Sequence, residues 1–96
     1  MKIFASITTI TTENGGRSEE FSGNMPCLIT TGDSRFFHCE LCFPFYRTYY
    51  PGDRMTGLMI EIPNDTFSQI ITQHQKIWIY EDDKLIAEGY IERIGE

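Results

Sequence analysis

The sequence predicts an all-β domain, and three observations carry that prediction. Short stretches rich in Ile, Thr, Phe and Tyr alternate with period two; clusters of Gly, Pro, Asn and Asp punctuate them; and helical periodicity is nearly absent. That combination describes a sandwich or a barrel. With 96 residues the chain has room for one domain, residues 1–96, and not for two. A domain of this size buries roughly 60–65% of the surface its unfolded chain exposes, so a single modest core is expected.

The first strand, residues 2–11, sets Ile3, Ala5 and Ile7 on one face and Phe4, Ser6 and Thr8 on the other. Apolar groups on both faces point to a closed or doubly covered sheet. Glu13-Asn14-Gly15-Gly16-Arg17 follows as a loop whose two glycines permit positive φ, and a longer excursion leads to Met25-Pro26-Cys27. Strands over 27–31 and 35–43 are separated by a break at Thr31-Gly32-Asp33. Tyr50-Pro51-Gly52-Asp53 has the signature of a type II turn, with proline presetting φ at its second position and glycine accepting positive φ at its third. A strand over 54–62 leaves that turn. Residues 63–75 read as a loop, with an Asn64 or Asp65 cap able to start a short helix that Thr and Ile weaken. The last two strands, around Ile77-Trp78-Ile79-Tyr80 and from Lys84 onward, form a hairpin about Glu81-Asp82-Asp83-Lys84. Repeats, low-complexity segments and linkers are absent.

Composition limits the function. Eight Lys and Arg against fourteen Asp and Glu give a net charge of −6, and the basic residues Lys2, Arg17, Arg35, Arg47, Arg54, Lys76, Lys84 and Arg93 are scattered along the chain. Phosphate backbones attract clustered cations, so nucleic acid is disfavoured. Cys27, Cys39 and Cys42 are too few and odd in number for a disulfide framework, and the N-terminus lacks a signal peptide's apolar region. Free thiols in a reducing cytoplasm are the expectation. No apolar run approaches the roughly 18 residues of a membrane helix.

Catalytic and cofactor signatures are weak. His38-Cys39-Glu40-Leu41-Cys42 holds metal-capable residue types, but on a strand Cys39 and Cys42 point to opposite faces. His38, Glu40 and Cys42 share a face without the second ligand pair of a zinc site, so the cysteines are expected to pack as small hydrophobes. A nucleophilic enzyme would draw its base from His38 or His74, the latter in a surface loop among glutamines. Neither a P-loop nor a GxGxxG nucleotide fingerprint occurs. Asp33, Asp53, Asp82 and Asp83 lie in turns, where short carboxylates bond nearby backbone amides. No enzyme activity and no cofactor are expected.

The densest feature is Phe43-Pro44-Phe45-Tyr46-Arg47-Thr48-Tyr49-Tyr50, five rings in eight positions. Alternation puts Phe43 and Phe45 on one face, expected to fill the barrel, and Tyr46 and Tyr50 on the other. Such rings either close the open end of a small barrel or form a partner surface, because Tyr and Arg desolvate well and keep polar contacts.

The order of landmarks resembles the C-terminal β-barrel domain of elongation factor Tu and its relatives among the translational GTPases. The resemblance is carried by the strand through Ile3 and Ile10, Glu13-Asn14-Gly15-Gly16-Arg17, Phe21-Ser22-Gly23 with Pro26 beyond, and Tyr50-Pro51-Gly52-Asp53. It continues through Ile77-Trp78-Ile79-Tyr80-Glu81, Lys84, Ile86-Ala87-Glu88-Gly89-Tyr90-Ile91 and Arg93. It runs the whole length, with extra residues around 66–74. It implies a six-stranded antiparallel Greek-key barrel that in the family helps hold the T stem of aminoacyl-tRNA and packs against a GTPase domain. GTP hydrolysis is not expected of these residues alone. The sequence departs from the family where RNA contacts arise, with Asn24, Met25 and Cys27 in place of Tyr, Arg and Gln, and Thr30-Thr31-Gly32-Asp33 in place of an Arg-Thr-Thr-Asp run. Those losses remove cations, so tRNA is a possible partner but a disfavoured one. The expectation is a stand-alone, non-enzymatic interaction module with a protein partner. Its expected surface joins Arg17 to Tyr46, Arg47, Tyr49 and Tyr50.

Overall fold

A computed structural model describes residues 1–95. It is a closed barrel of six antiparallel strands: β1 (Lys2–Thr9), β2 (Asn24–Thr30), β3 (Phe37–Cys42), β4 (Arg54–Glu61), β5 (Lys76–Glu81) and β6 (Lys84–Ile94). Around the barrel they run β1-β4-β3-β2-β5-β6. Strands β2, β3 and β4 follow one another as neighbours and β5 returns beside β2, which is a Greek key. β1 pairs with β4 on one edge and β6 on the other; its Ile3, Ala5 and Ile7 are buried inside, and on its outer face Phe4 is half-buried beneath the Arg93 guanidinium, 4.0 Å away. Ile29, Leu41, Ile60, Ile77, Ile79, Ile86 and Ile91 complete that interior, while the alternate positions face outward.

Rings close both ends. Phe67, carried on a short 3₁₀ helix (Asp65–Gln69) capped by Asn64, is fully buried and meets Phe37 edge-on at 5.2 Å. Phe21, Phe43 and Tyr49 close the other end, with Phe43 at 5.8 Å from Phe21 and 5.7 Å from Tyr49. Phe37 and Phe43 lie six residues apart across β3, about 20 Å at strand rise, so the two plugs are separate.

The turns follow their residues. In Tyr50-Pro51-Gly52-Asp53 the Asp53 N–H donates to the Tyr50 carbonyl at 2.9 Å and Gly52 has φ +96°, as the sequence requires of a type II turn. The buried Thr9 hydroxyl anchors that turn to β1, 3.1 Å from the Tyr50 carbonyl and 3.0 Å from that of Asp53. Asp82 takes φ +55° in the β5–β6 hairpin. The expected pair of positive-φ glycines resolves differently. Gly15 has φ +87°, whereas Gly16 is required by space, since a Cβ there would lie 2.3 Å from the Ile10 carbonyl oxygen.

Candidate functional site

Two placements in the aromatic stretch depart from expectation. Phe45, which alternation puts in the core, is 97% exposed, and Tyr49, expected in the partner surface although it shares the parity of Phe43, is 8% exposed. The reason is local. Pairing of β3 with β4 stops at Cys42↔Met59, after which the Arg47 N–H donates to the Pro44 carbonyl at 3.3 Å. That turn puts Phe45 and Tyr46 at its two central positions and ends the period-two register. Their rings stand 6.0 Å apart at the tip, with Tyr46 77% exposed. The chain then returns to the barrel, where Tyr49 and Phe21 exchange backbone hydrogen bonds of 3.0 and 2.7 Å. Tyr50 remains outside.

The cations divide in the same way. Arg17 is drawn inward: its Nη1 bonds Glu81 at 2.6 Å, its Nε donates to the Glu20 carbonyl at 3.1 Å, and its guanidinium lies 5.6 Å from the Phe21 ring. It braces the strand end rather than joining the exposed rings. Arg47 lies 4.3 Å over the Tyr49 ring, which holds its charge at the surface by cation–π attraction. Of the five residues expected in a partner surface, the structure therefore exposes Tyr46, Arg47 and Tyr50 on one loop, with Tyr49 beneath them and Arg17 engaged elsewhere.

An open groove of about 600 Å³ adjoins this loop. Arg47 and Tyr49 stand at one side, and β4, β1, β6 and β5 contribute Arg54, Thr8, Tyr90 and Lys76. Sequence reading missed Arg54, Lys76 and Tyr90 because they come from three strands and meet only through the barrel order. Their outward parity was visible, since each adjoins a core position, Met55, Ile77 or Ile91. A β-bulge in β4 at Thr56-Gly57 borders the groove. Glu92 pins it, accepting from the Ser6 hydroxyl at 2.7 Å and the Gly57 N–H at 2.8 Å. Those two bonds, Ser6 first, hold its carboxyl below the usual range.

The thiols have a packing environment. Cys27 and Cys39 oppose each other across β2 and β3 and are buried, whereas Cys42 is half-buried on the outer face with Glu40 and the exposed His38. Burial pushes the Cys27 thiol up to about 12, with Glu81 adding and Arg17 opposing. Burial raises Cys39 as well, with Cys27 next, and it raises Cys42, with Glu40 next. All three stay protonated near neutrality, which removes the nucleophilic form. We expect iodoacetamide at pH 8 to label native protein slowly and at Cys42 first, and all three cysteines after denaturation; rapid native labelling of Cys39 would contradict this burial. Among the described residues no three His, Cys, Asp or Glu side chains gather where they would hold a metal. Asp33 and Asp53 use their carboxylates on the Arg35 and Tyr50 backbone amides, 3.1 and 2.8 Å away, as turn aspartates do. No helix among the described residues is long and apolar enough to cross a membrane.

A search of protein-family models and a search of curated proteins each return no match.

Proposed function

We propose that this barrel is a non-enzymatic interaction module that takes a protein partner on the loop over residues 44–50, with Phe45, Tyr46, Arg47 and Tyr50 making the contact. The observation that carries the reading is the pair of solvated rings at the tip, Phe45 at 97% and Tyr46 at 77% exposure. Burying one such side chain is worth about 1.5–3 kcal/mol, and aromatic and Arg side chains concentrate the energy of interfaces. The tip sits on a fixed base, because the Tyr49–Phe21 bridge anchors the returning chain, and a preorganised loop loses less entropy on binding. Protonated, packed thiols support the non-enzymatic part of the reading, and free cysteines support a reducing cytoplasm as its location. The resemblance to the translation-factor barrel makes a translation component the first partner class to seek.

The test is affinity capture from host lysate, before and after nuclease, with wild type and a Phe45→Ala/Tyr46→Ala variant. A stoichiometric protein should survive nuclease and fall at least about tenfold with the variant, because the rings are interface anchors. The variant's thermal midpoint should stay within a few degrees, since exposed substitutions cost little. Capture that ignores the variant would remove the loop from the interface. Recovery of tRNA alone, lost at moderate salt, would instead establish an RNA-associated translation accessory.

A further inference from the structure

We infer that the groove beside this loop receives an acidic, extended segment of the partner, an inference that rests on the interaction reading and specifies its ligand. The chain carries −6 overall, yet Arg47, Arg54 and Lys76, three of its eight Lys and Arg, line this one groove. A single lining carboxylate, Glu88, shares it, 3.9 Å from Lys76, and Glu92 stands at its border, engaged by the Ser6 hydroxyl and the Gly57 N–H. Arg47 and Arg54 form no ion pair among the described residues.

Strand register explains how scattered cations converge. Thr8 of β1 is opposite Arg54 on one side and Glu88 on the other, and Tyr90 of β6 lies between Ser6 and Lys76. Short hydroxyl side chains at Ser6 and Thr8 thus form a low floor between long flanking ones, leaving a trench across the outer face. Beyond Tyr49, Met55 and Thr56 the trench continues into a smaller slot of about 270 Å³ that reaches Tyr46 and Leu58. One end is cationic and the other is lined by rings and aliphatic groups.

That division fits a peptide better than a nucleic acid. An extended peptide presents every second side chain to one face, about 7 Å apart, so two or three carboxylates can meet the guanidiniums and ammonium while one apolar side chain enters the slot. A continuous phosphate backbone would carry charge beyond the groove and over a domain whose net charge of −6 repels it.

The experiment selects a phage-displayed random peptide library, about twelve residues long, on the wild-type domain near 0.15 M salt. Enriched sequences are then synthesised with a fluorophore for anisotropy against wild type, Arg54→Glu/Lys76→Glu and Phe45→Ala/Tyr46→Ala. A single-stranded RNA of matched length is titrated in parallel. Enriched peptides should combine Asp or Glu with an apolar anchor, and the charge reversal should weaken them at least about tenfold while the thermal midpoint stays near wild type. Restored binding to that variant when the peptide's acids become lysines would secure the contact. No enrichment, enrichment without acidic bias, indifference to the charge reversal, or tighter binding of the RNA would each overturn the acidic-segment inference. Non-acidic peptides that still need Phe45 and Tyr46 would leave the interaction reading standing, and peptides indifferent to both double variants would remove both.

Discussion

Gly89→Ala is expected to destabilise the barrel by on the order of 3 kcal/mol, with a fall in thermal midpoint well above 10 °C for a domain of this length. A Cβ at this position would lie 1.9 Å from the Ser6 carbonyl oxygen and 2.8 Å from the Ile7 Cα, and both are backbone atoms that no rotamer change can move aside. Gly89 is the register partner of Ile7 on β1 and Ile77 on β5, so relief requires β6 to separate from a neighbour at a seam that closes the barrel. A domain of this size holds only about 5–15 kcal/mol in total, and the variant loses a large part of it. Urea unfolding of wild type and variant gives the difference directly. A change under 1 kcal/mol would mean that β1 and β6 leave room for a Cβ at Gly89. Because Gly89 also lies in the groove, the same substitution should disturb the proposed peptide trench.

The sequence could be read for this fold because a barrel strand announces its interior every second residue. Ile3-Ala5-Ile7 and Ile77-Ile79 fall inside as that alternation requires, and the Pro-Gly turn and the Asp82 hairpin form where their φ preferences place them. The rule fails where pairing ends. Phe43 is the last inward residue of its series; two residues on, a turn rather than a strand decides direction, and Phe45 points to solvent. Tyr49 shares the inward parity of Phe43, but after the turn it is held there by an isolated bridge to Phe21, a contact between residues far apart in the chain. The ring stretch therefore divides: Phe43 and Tyr49 close the barrel, and Phe45, Tyr46 and Tyr50 remain outside. The cationic groove was hidden for a related reason. Arg47, Arg54 and Lys76 look dispersed in sequence, and only the strand order β4-β1-β6-β5 makes them neighbours.

Phe21→Ala should cost about 3–5 kcal/mol, the range for truncating a buried Phe, and should also weaken partner capture although Phe21 touches no solvent. Its ring packs against Phe43 at 5.8 Å and lies under the Arg17 guanidinium at 5.6 Å, and its backbone bridges Tyr49. Removing the ring leaves a cavity beneath the base of the 44–50 loop. The tip then samples more orientations and binding must restrict them. Stability loss alone would also reduce capture, so Phe67→Ala serves as the matched control: an equally buried Phe, edge-on to Phe37 in the opposite plug. Both variants should unfold at similarly lowered urea concentrations. At a temperature where both remain folded, only Phe21→Ala should lose affinity for the selected peptides, by several fold. Equal loss in both would tie binding to global stability. Equal retention would show that the tip holds its geometry without the Phe21 plug, leaving the exposed rings to act through their own turn alone.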